Sequence, residues 1–477
     1  MAENFWRKKE SESEFDPINS LLSELTDPED AEEEFRADFF QGLAGRRQKA
    51  AFLLMVIWIV VVFLHLVSWG YWFVLGVAGL VGIQILRYLF AKPEISRTPL
   101  SIKESALVPK ISLLVAARNE EAVISNSVAM LCNLDYPADK YEVWAIDDRS
   151  TDNTPAILDR LAVEYPQLKV VHRAKSDGGG KSGALNQVVP QTFGDIIGVF
   201  DADAKVSHDL LRKVVPLFAK SRVGAVQVRK AIANADENFW TKGQAAEMAL
   251  DSYVQQQRIA VGGIGELRGN GQFVSRIALH SCGGWNEETI TDDLDLTIRL
   301  HLDNWKIGLL STPPVLEEGV TNALSLWHQR NRWAEGGYQR YLDYWRYIFR
   351  TPMGFGKRID LLCWMLLQYI VPAANVPDGI MAIARHRLPV LSPITALIFA
   401  WGFLGIFKGL IRINTAAGKS LNLPTIFEIA WQSVRGLIYM IHWQIVMLSI
   451  TARMSIRPKR LKWVKTVHEG TTSFNNG

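Results

Sequence analysis

The stretch Ala50 to Val67, AAFLLMVIWIVVVFLHLV, is almost continuously apolar, and YWFVLGVAGLVGIQILRYLF follows from Tyr71 to Phe90. Each run is near the ~20 residues that an α-helix needs to cross a bilayer core. Two transmembrane helices are therefore predicted over residues 46–92. A cleaved signal peptide is not expected, because an acidic stretch of some fifty residues precedes the first run. Arg46, Arg47 and Lys49 stand just before it and favour a cytoplasmic N-terminus. Trp69, Tyr71 and Trp72 fall at the far turn, where an aromatic belt is expected. Apolar runs return at Leu361–Ala384, Pro389–Phe407 and Gly436–Ala452. Three spans there would leave the basic tail RPKRLKWVK outside, against the positive-inside tendency, so two or three spans over 361–452 and four or five in all are expected.

Charge is unevenly spread. Residues 1–45 are acidic and poor in apolar runs, which predicts a disordered cytoplasmic head, and residues 453–477 form a basic tail. The formal net charge of +3 is too small to argue for nucleic acid. Cys132, Cys282 and Cys363 lie far apart in sequence and suggest neither a disulfide framework nor a zinc site.

Between 108 and 340 the pattern alternates short apolar strands with helical stretches. Strands are predicted in ISLLVAARNE from Ile111, at Glu142–Ile146, at Leu168–His172, in DIIGVFDADA from Asp195 and at Gly224–Arg229. Alternation of this kind predicts an α/β domain with a mostly parallel, doubly wound sheet. Ligands of such sheets bind at the carboxyl ends of the strands. The polar clusters of this chain fall there.

Asp201 and Asp203 stand one residue apart beyond an apolar strand and can share a hard divalent cation; a solvated acidic turn is an equally good reading of that tripeptide alone. Asp148 follows another strand and is placed to accept hydrogen bonds from a base or sugar. SDGGGKSGALN, from Ser176, is not a Walker A motif, since Lys175 occupies the position of its first glycine. Its glycines still let backbone approach a ligand, with Lys181 and Asn186 in reach. Thr291 is a natural N-cap, putting Asp292 and Asp293 in a first helical turn. There they either complement the helix dipole or serve as a base toward a hydroxyl. In LWHQRNRWAEGG, Gln329, Arg332 and Trp333 share one helical face, while Arg330 and Asn331 turn elsewhere. Gly336 and Gly337 are expected to end that helix, before an interfacial helix over 338–356.

Together these motifs resemble membrane-bound glycosyltransferase family 2, the GT-A fold group that includes cellulose and hyaluronan synthases. The resemblance covers roughly residues 108–340, with flanking membrane helices. It implies that Asn119, Glu120 and Asp148 hold the uridine of a nucleotide sugar. Lys181, Asp201, Gln329 and Arg332 would also face the donor. Asp201 and Asp203 would hold Mg²⁺ or Mn²⁺ on the diphosphate. Asp293 would be the catalytic base, and Trp333 would lie under the acceptor. Asp292 stands where the family has Glu, which leaves open which carboxylate faces the acceptor. A metal and an arginine suit the charge that builds on a leaving diphosphate. A base on the opposite face of the sugar makes the reaction inverting.

The length, acidic head and membrane arrangement resemble family members that glucosylate a lipid, implying UDP-glucose as donor and 1,2-diacylglycerol as acceptor. Two other readings stay open: a processive β-polysaccharide synthase using a UDP-sugar, and a non-catalytic membrane scaffold with a degenerate transferase domain.

Overall fold

A computed structural model describes residues 45–93, 99–100, 108–174 and 176–456. The acidic head and all but the first residues of the basic tail lie outside the described residues. Two long apolar helices come first, α1 (Arg46–Leu66) and α2 (Gly70–Phe90). The α/β domain then runs β1 (Ile111–Ala117), α3 (Ile124–Cys132), β2 (Tyr141–Asp147), α4 (Thr154–Glu164), β3 (Leu168–His172), α5 (Gly180–Val188), β4 (Ile196–Phe200) and α6 (Leu210–Val214). It continues with β5 (Val223–Ile232), α7 (Phe239–Ala260), β6 (Gln272–Ser275), α8 (Arg276–Ser281), α9 (Asp292–Leu302) and β7 (Lys306–Glu317). The last part is helical: α10 (Ala323–Arg350), α11 (Phe355–Met365), a π-helical turn (Leu366–Ile370), α12 (Val371–Ala384), α13 (Ser392–Ala416) and α14 (Leu423–Ile456).

The strands form one sheet in the order β3-β2-β1-β4-β6-β5-β7. Side chains alternate across it, as strand geometry requires. Ile111, Leu113 and Val115 enter the core on one face, and Leu114 enters the core on the other. β1 is parallel to β2 and β4, and β2 to β3. The predicted fifth strand is present as β5, but it does not pair with β4. The short β6 lies between them, antiparallel to both, and β5 pairs in parallel with β7. The sheet is thus mixed, with mostly parallel strands.

Among the described residues five helices are long and apolar enough to cross a membrane: Arg46–Leu66, Gly70–Phe90, Phe355–Ala384, Ser392–Ala416 and Leu423–Ile456. Phe52, Trp72, Ile383 and Phe427 are exposed on them. An apolar surface this continuous calls for lipid. Arg46 and Lys49 do not point away from the protein. Arg46 pairs with Asp343 at 2.5 Å, and the Lys49 ammonium donates to the Leu342 carbonyl, so both tie α1 to α10.

Gly336 and Gly337 do not end a helix, and no separate helix starts at 338. α10 runs unbroken from Ala323 to Arg350. Close approach explains these glycines. A Cβ on Gly336 would lie 2.0 Å from Thr291 Oγ1, and one on Gly337 would lie 2.2 Å from the Tyr369 hydroxyl. The pair lets α10 press against the start of α9 on one side and the π turn on the other.

Candidate active site

The carboxyl ends of β1 and β2 finish level, with Ala117 opposite Asp147. Asp148, just beyond, donates its backbone N–H to the Ala117 carbonyl. Its carboxylate accepts from the Arg173 guanidinium at 2.7 Å. Arg173, buried at the end of β3, also donates to the carbonyls of Gly178 and Gly180. One arginine thereby fixes both the Asp148 carboxylate and the glycine loop. Sequence reasoning missed it, since a lone arginine after a short strand carries no motif. Asn119 has a left-handed backbone (φ 56°), and its side-chain oxygen accepts from the Thr151 N–H at 2.7 Å. It holds the β2 loop and does not line the cavity described below, whereas Glu120 and Asp148 do.

Gly179 and Gly180 adopt positive φ and lead into α5. The free N–H groups of such a helix start suit an anion. Gly179, Gly180, Lys181 and Ser182 line the cavity. Asn186 does not; it donates to Glu287 and to the Trp285 carbonyl.

Lys181 Nζ lies 2.5 Å from Asp201 Oδ1. Burial lowers the affinity of the Lys181 ammonium for its proton, but Asp201, Asp292 and Asp293 outweigh burial and hold its pKa above the ordinary lysine value. Asp203 accepts from the Glu318 N–H at 2.9 Å. Glu317, at the end of β7, pairs with Lys230 at 2.8 Å. Burial, together with Asp203 and Asp201, holds the Glu317 carboxyl above its usual range. Asp201 and Asp203 offer two carboxylates beside a helix start suited to phosphate. Magnesium-like cations take one or two protein carboxylates plus substrate phosphates and waters. Among the described residues no group of three or more His, Cys, Asp or Glu forms a ready-made cage. The donor set therefore fits a cation brought in with a diphosphate.

Asp292 and Asp293 occupy the first turn of α9, as expected, with Thr291 before them, although the Thr291 side chain makes no capping hydrogen bond. The two carboxylates differ in their surroundings. Burial raises the pKa of Asp292, Lys181 opposes the rise and Asp201 adds to it. Burial and the neighbouring Asp292 push Asp293 up to about 6, against the Leu294 N–H, Arg268 and Lys230. Lys181 and Asp201 thus act chiefly on Asp292, and Arg268 and Lys230 act on Asp293. A Cβ on Gly269 would stand 3.6 Å from Asp293 Oδ2, so the Gly269 loop lies beside this carboxylate.

Gln329, Arg332 and Trp333 reach the same cavity from α10. Trp333 is flanked by the Lys230 ammonium, 5.1 Å from its ring centre, and by the Arg330 guanidinium at 4.1 Å. Arg330 turns inward, fully buried, and pairs with Glu247 at 2.6 Å. Glu247 also accepts from the Tyr439 hydroxyl and the Trp443 indole N–H. That network locks α10 to α14.

Glu120, Asp148, Lys181, Asp201, Asp203, Asp292, Asp293, Gln329, Arg332 and Trp333 open on one cavity of about 770 Å³. It starts at the strand ends, passes Asp292 and Asp293, and continues among Trp364, Leu367, Phe399, Trp401, Leu437 and Met440 of the long apolar helices. Glu266, Arg268, Arg340 and Asp251 border it between the two parts. Glu266 is buried and pairs with Arg258, Arg268 and Arg340.

This combination of mixed sheet, paired aspartates at a strand end and a second aspartate pair at a helix start marks a glycosyltransferase. Residues 109–336 match the family described as glycosyltransferase like family 2, and the chain belongs to that family. It is 57% identical to a β-monoglucosyldiacylglycerol synthase of Synechocystis sp. over 97% of both chains. It is 57% identical to the synthase of the same name from Nostoc sp., over 99% of this chain and 100% of the relative. The fold is similar to a mannosyltransferase of Pyrobaculum calidifontis solved with GDP-mannose and Mn²⁺, with a TM-score of 0.53, 20% identity, and 80% of this chain and 98% of that one covered.

Proposed function

We infer that this hexosyltransferase moves glucose from UDP-glucose to the free hydroxyl of 1,2-diacylglycerol, with inversion, to give β-monoglucosyldiacylglycerol. The observation that carries this reading is the continuity of the cavity, from the carboxylates at the strand ends into a groove between helices of membrane-spanning length. A lipid can present its headgroup hydroxyl to Asp293 while its acyl chains stay among Leu367, Phe399 and Leu437. The name shared by the two 57% identical relatives supports the same acceptor.

Glu120 and Asp148 hold the uridine part, and Arg173 fixes Asp148. The N–H groups at the start of α5, with Lys181, Gln329 and Arg332, bind the diphosphate. Asp201 and Asp203 hold Mg²⁺ or Mn²⁺, which, when bound, offsets charge on the leaving diphosphate. Lys181, paired here with Asp201, would turn toward the phosphate where that carboxylate holds the cation. Asp293 takes the proton of the acceptor hydroxyl as that oxygen attacks the anomeric carbon. Trp333 forms the floor under the acceptor. The catalytic domain and the basic first turn of α1 face the cytoplasm.

The test is incorporation of label from UDP-glucose, with Mg²⁺ and diacylglycerol, by membranes containing the full chain. Label extracted into organic solvent as a lipid is expected. Label retained in an insoluble polymer would overturn the lipid acceptor, and no metal-dependent turnover of UDP-glucose would return the protein to a scaffold role.

A further inference from the structure

Two glutamines stand in the membrane part of the cavity, where the lining is otherwise mostly aromatic and aliphatic. Gln368 lies in the π-helical turn Leu366–Ile370, and Gln444 lies near the middle of α14. Both line the cavity. The π turn packs against α14, and Tyr369 shares a core cluster with Val446 and Met447, so the two glutamines approach the groove from adjoining elements. Pro372 accounts for the wide turn. It lacks the N–H that would bond to the Gln368 carbonyl, and its ring would collide with that carbonyl in a regular α-helix. Widened turns of this kind recur at functional sites.

Neither amide NH2 group donates a hydrogen bond to the described residues, and the Gln444 Oε1 acceptor is buried without a partner. An amide left unpaired in an apolar groove favours a ligand that pairs with it. Intramembrane polar groups that face a cavity mark ligand paths. Resting on the diacylglycerol reading above, we propose that Gln368 and Gln444 donate hydrogen bonds to the two ester carbonyls of the acceptor. The chemistry matches in kind. A diacylglycerol carries two carbonyl acceptors next to its one hydroxyl, and each glutamine presents an amide that donates. Anchoring both esters fixes the glycerol backbone and leaves the third carbon, with its hydroxyl, directed toward Asp293. Gln368 and Gln444 are therefore acceptor-specificity residues, apart from the donor machinery.

The experiment compares two acceptors with the full chain in detergent–lipid micelles: a 1,2-diacylglycerol and its 1,2-dialkyl ether analogue, which keeps the hydroxyl but lacks both carbonyls. The wild type is expected to show a KM about tenfold or more higher for the ether, the scale of one to two hydrogen bonds. Gln368→Leu and Gln444→Leu should each raise the diester KM toward the ether value. The KM for the ether, the KM for UDP-glucose and kcat should stay near wild type. Equal KM values for the two lipids in the wild type would overturn the proposal without any variant having to fold. So would leucine variants that weaken both lipids alike, because that marks a packing role. Transfer to neither lipid would instead fail the diacylglycerol reading itself.

Discussion

The two halves of the cavity are built in different ways. The half at the strand ends uses secondary-structure termini. Asp148, Asp201 and Asp203 follow the last residues of β2 and β4, Lys181 and Asp293 sit in first helical turns, and glycines with positive φ shape the loop. Backbone geometry alone aims those groups at one place. The half among the apolar helices uses side chains in mid-helix, from α11 to α14, that meet only through packing. The contrast separates a part that handles charge from a part that handles an apolar ligand, and Asp293 stands at their border with Arg268 beside it. Substitutions on either side should therefore fail in different parameters.

The largest expected effect is at that border. Asp293→Asn removes the proposed base, and kcat should fall by about 10²–10⁴-fold while UDP-glucose binding, measured by calorimetry, stays near wild type. Asp292→Asn should cost far less. If Asp292→Asn is the deeper loss, the assignment of the two carboxylates is reversed. Next in size is Gly336→Val. Its side chain must displace Thr291, which directly precedes both aspartates. A displacement of about 1 Å at a reacting group can cost on the order of 10² in rate. The expected result is a kcat loss on that scale with a folded protein, checked by its melting profile. Full activity would mean that the contact between α10 and the start of α9 does not set the position of the carboxylates.

The strand-end half was legible in the sequence because its signals are local. Apolar runs ending in Asp-Ala-Asp or Asp-Asp need only a strand and its carboxyl end to become a site. What was not legible depends on distant partners. Gly336 and Gly337 read locally as a helix stop, because glycine commonly follows a helix. Their reason lies in Thr291 and Tyr369, far off in sequence. Asn119 sits in the expected loop, yet its side chain is spent on Thr151. Arg173, Lys230 and Glu317 join the site through the sheet order, and that order depends on β6 inserting antiparallel between β4 and β5. β7 itself went unread in the sequence. The five apolar helices were nearly legible from length alone, since the only doubt came from the charge of the tail. Which of their side chains face the groove was not, because those helices are apolar nearly all round and have no polar face to set their rotation.

The smallest expected effect tests the border most finely. Burial and Asp292 hold the Asp293 pKa up at about 6. A base must be deprotonated, so kcat/KM should rise with pH and level off above about pH 7. Asp292→Asn removes the charge that disfavours ionisation of Asp293, and the rising limb should move to lower pH. Stability runs the other way. The folded-state pKa lies above the unfolded carboxyl value, so the folded protein binds this proton more tightly. The stabilising contribution is present at low pH and is lost as pH rises through about 6. Asp293→Asn should therefore raise the melting temperature above about pH 7 and leave it nearly unchanged at acid pH. A limb that does not move in Asp292→Asn would separate the two carboxylates electrically. Each would then answer to its own half of the cavity, Asp292 to the diphosphate side and Asp293 to the lipid side.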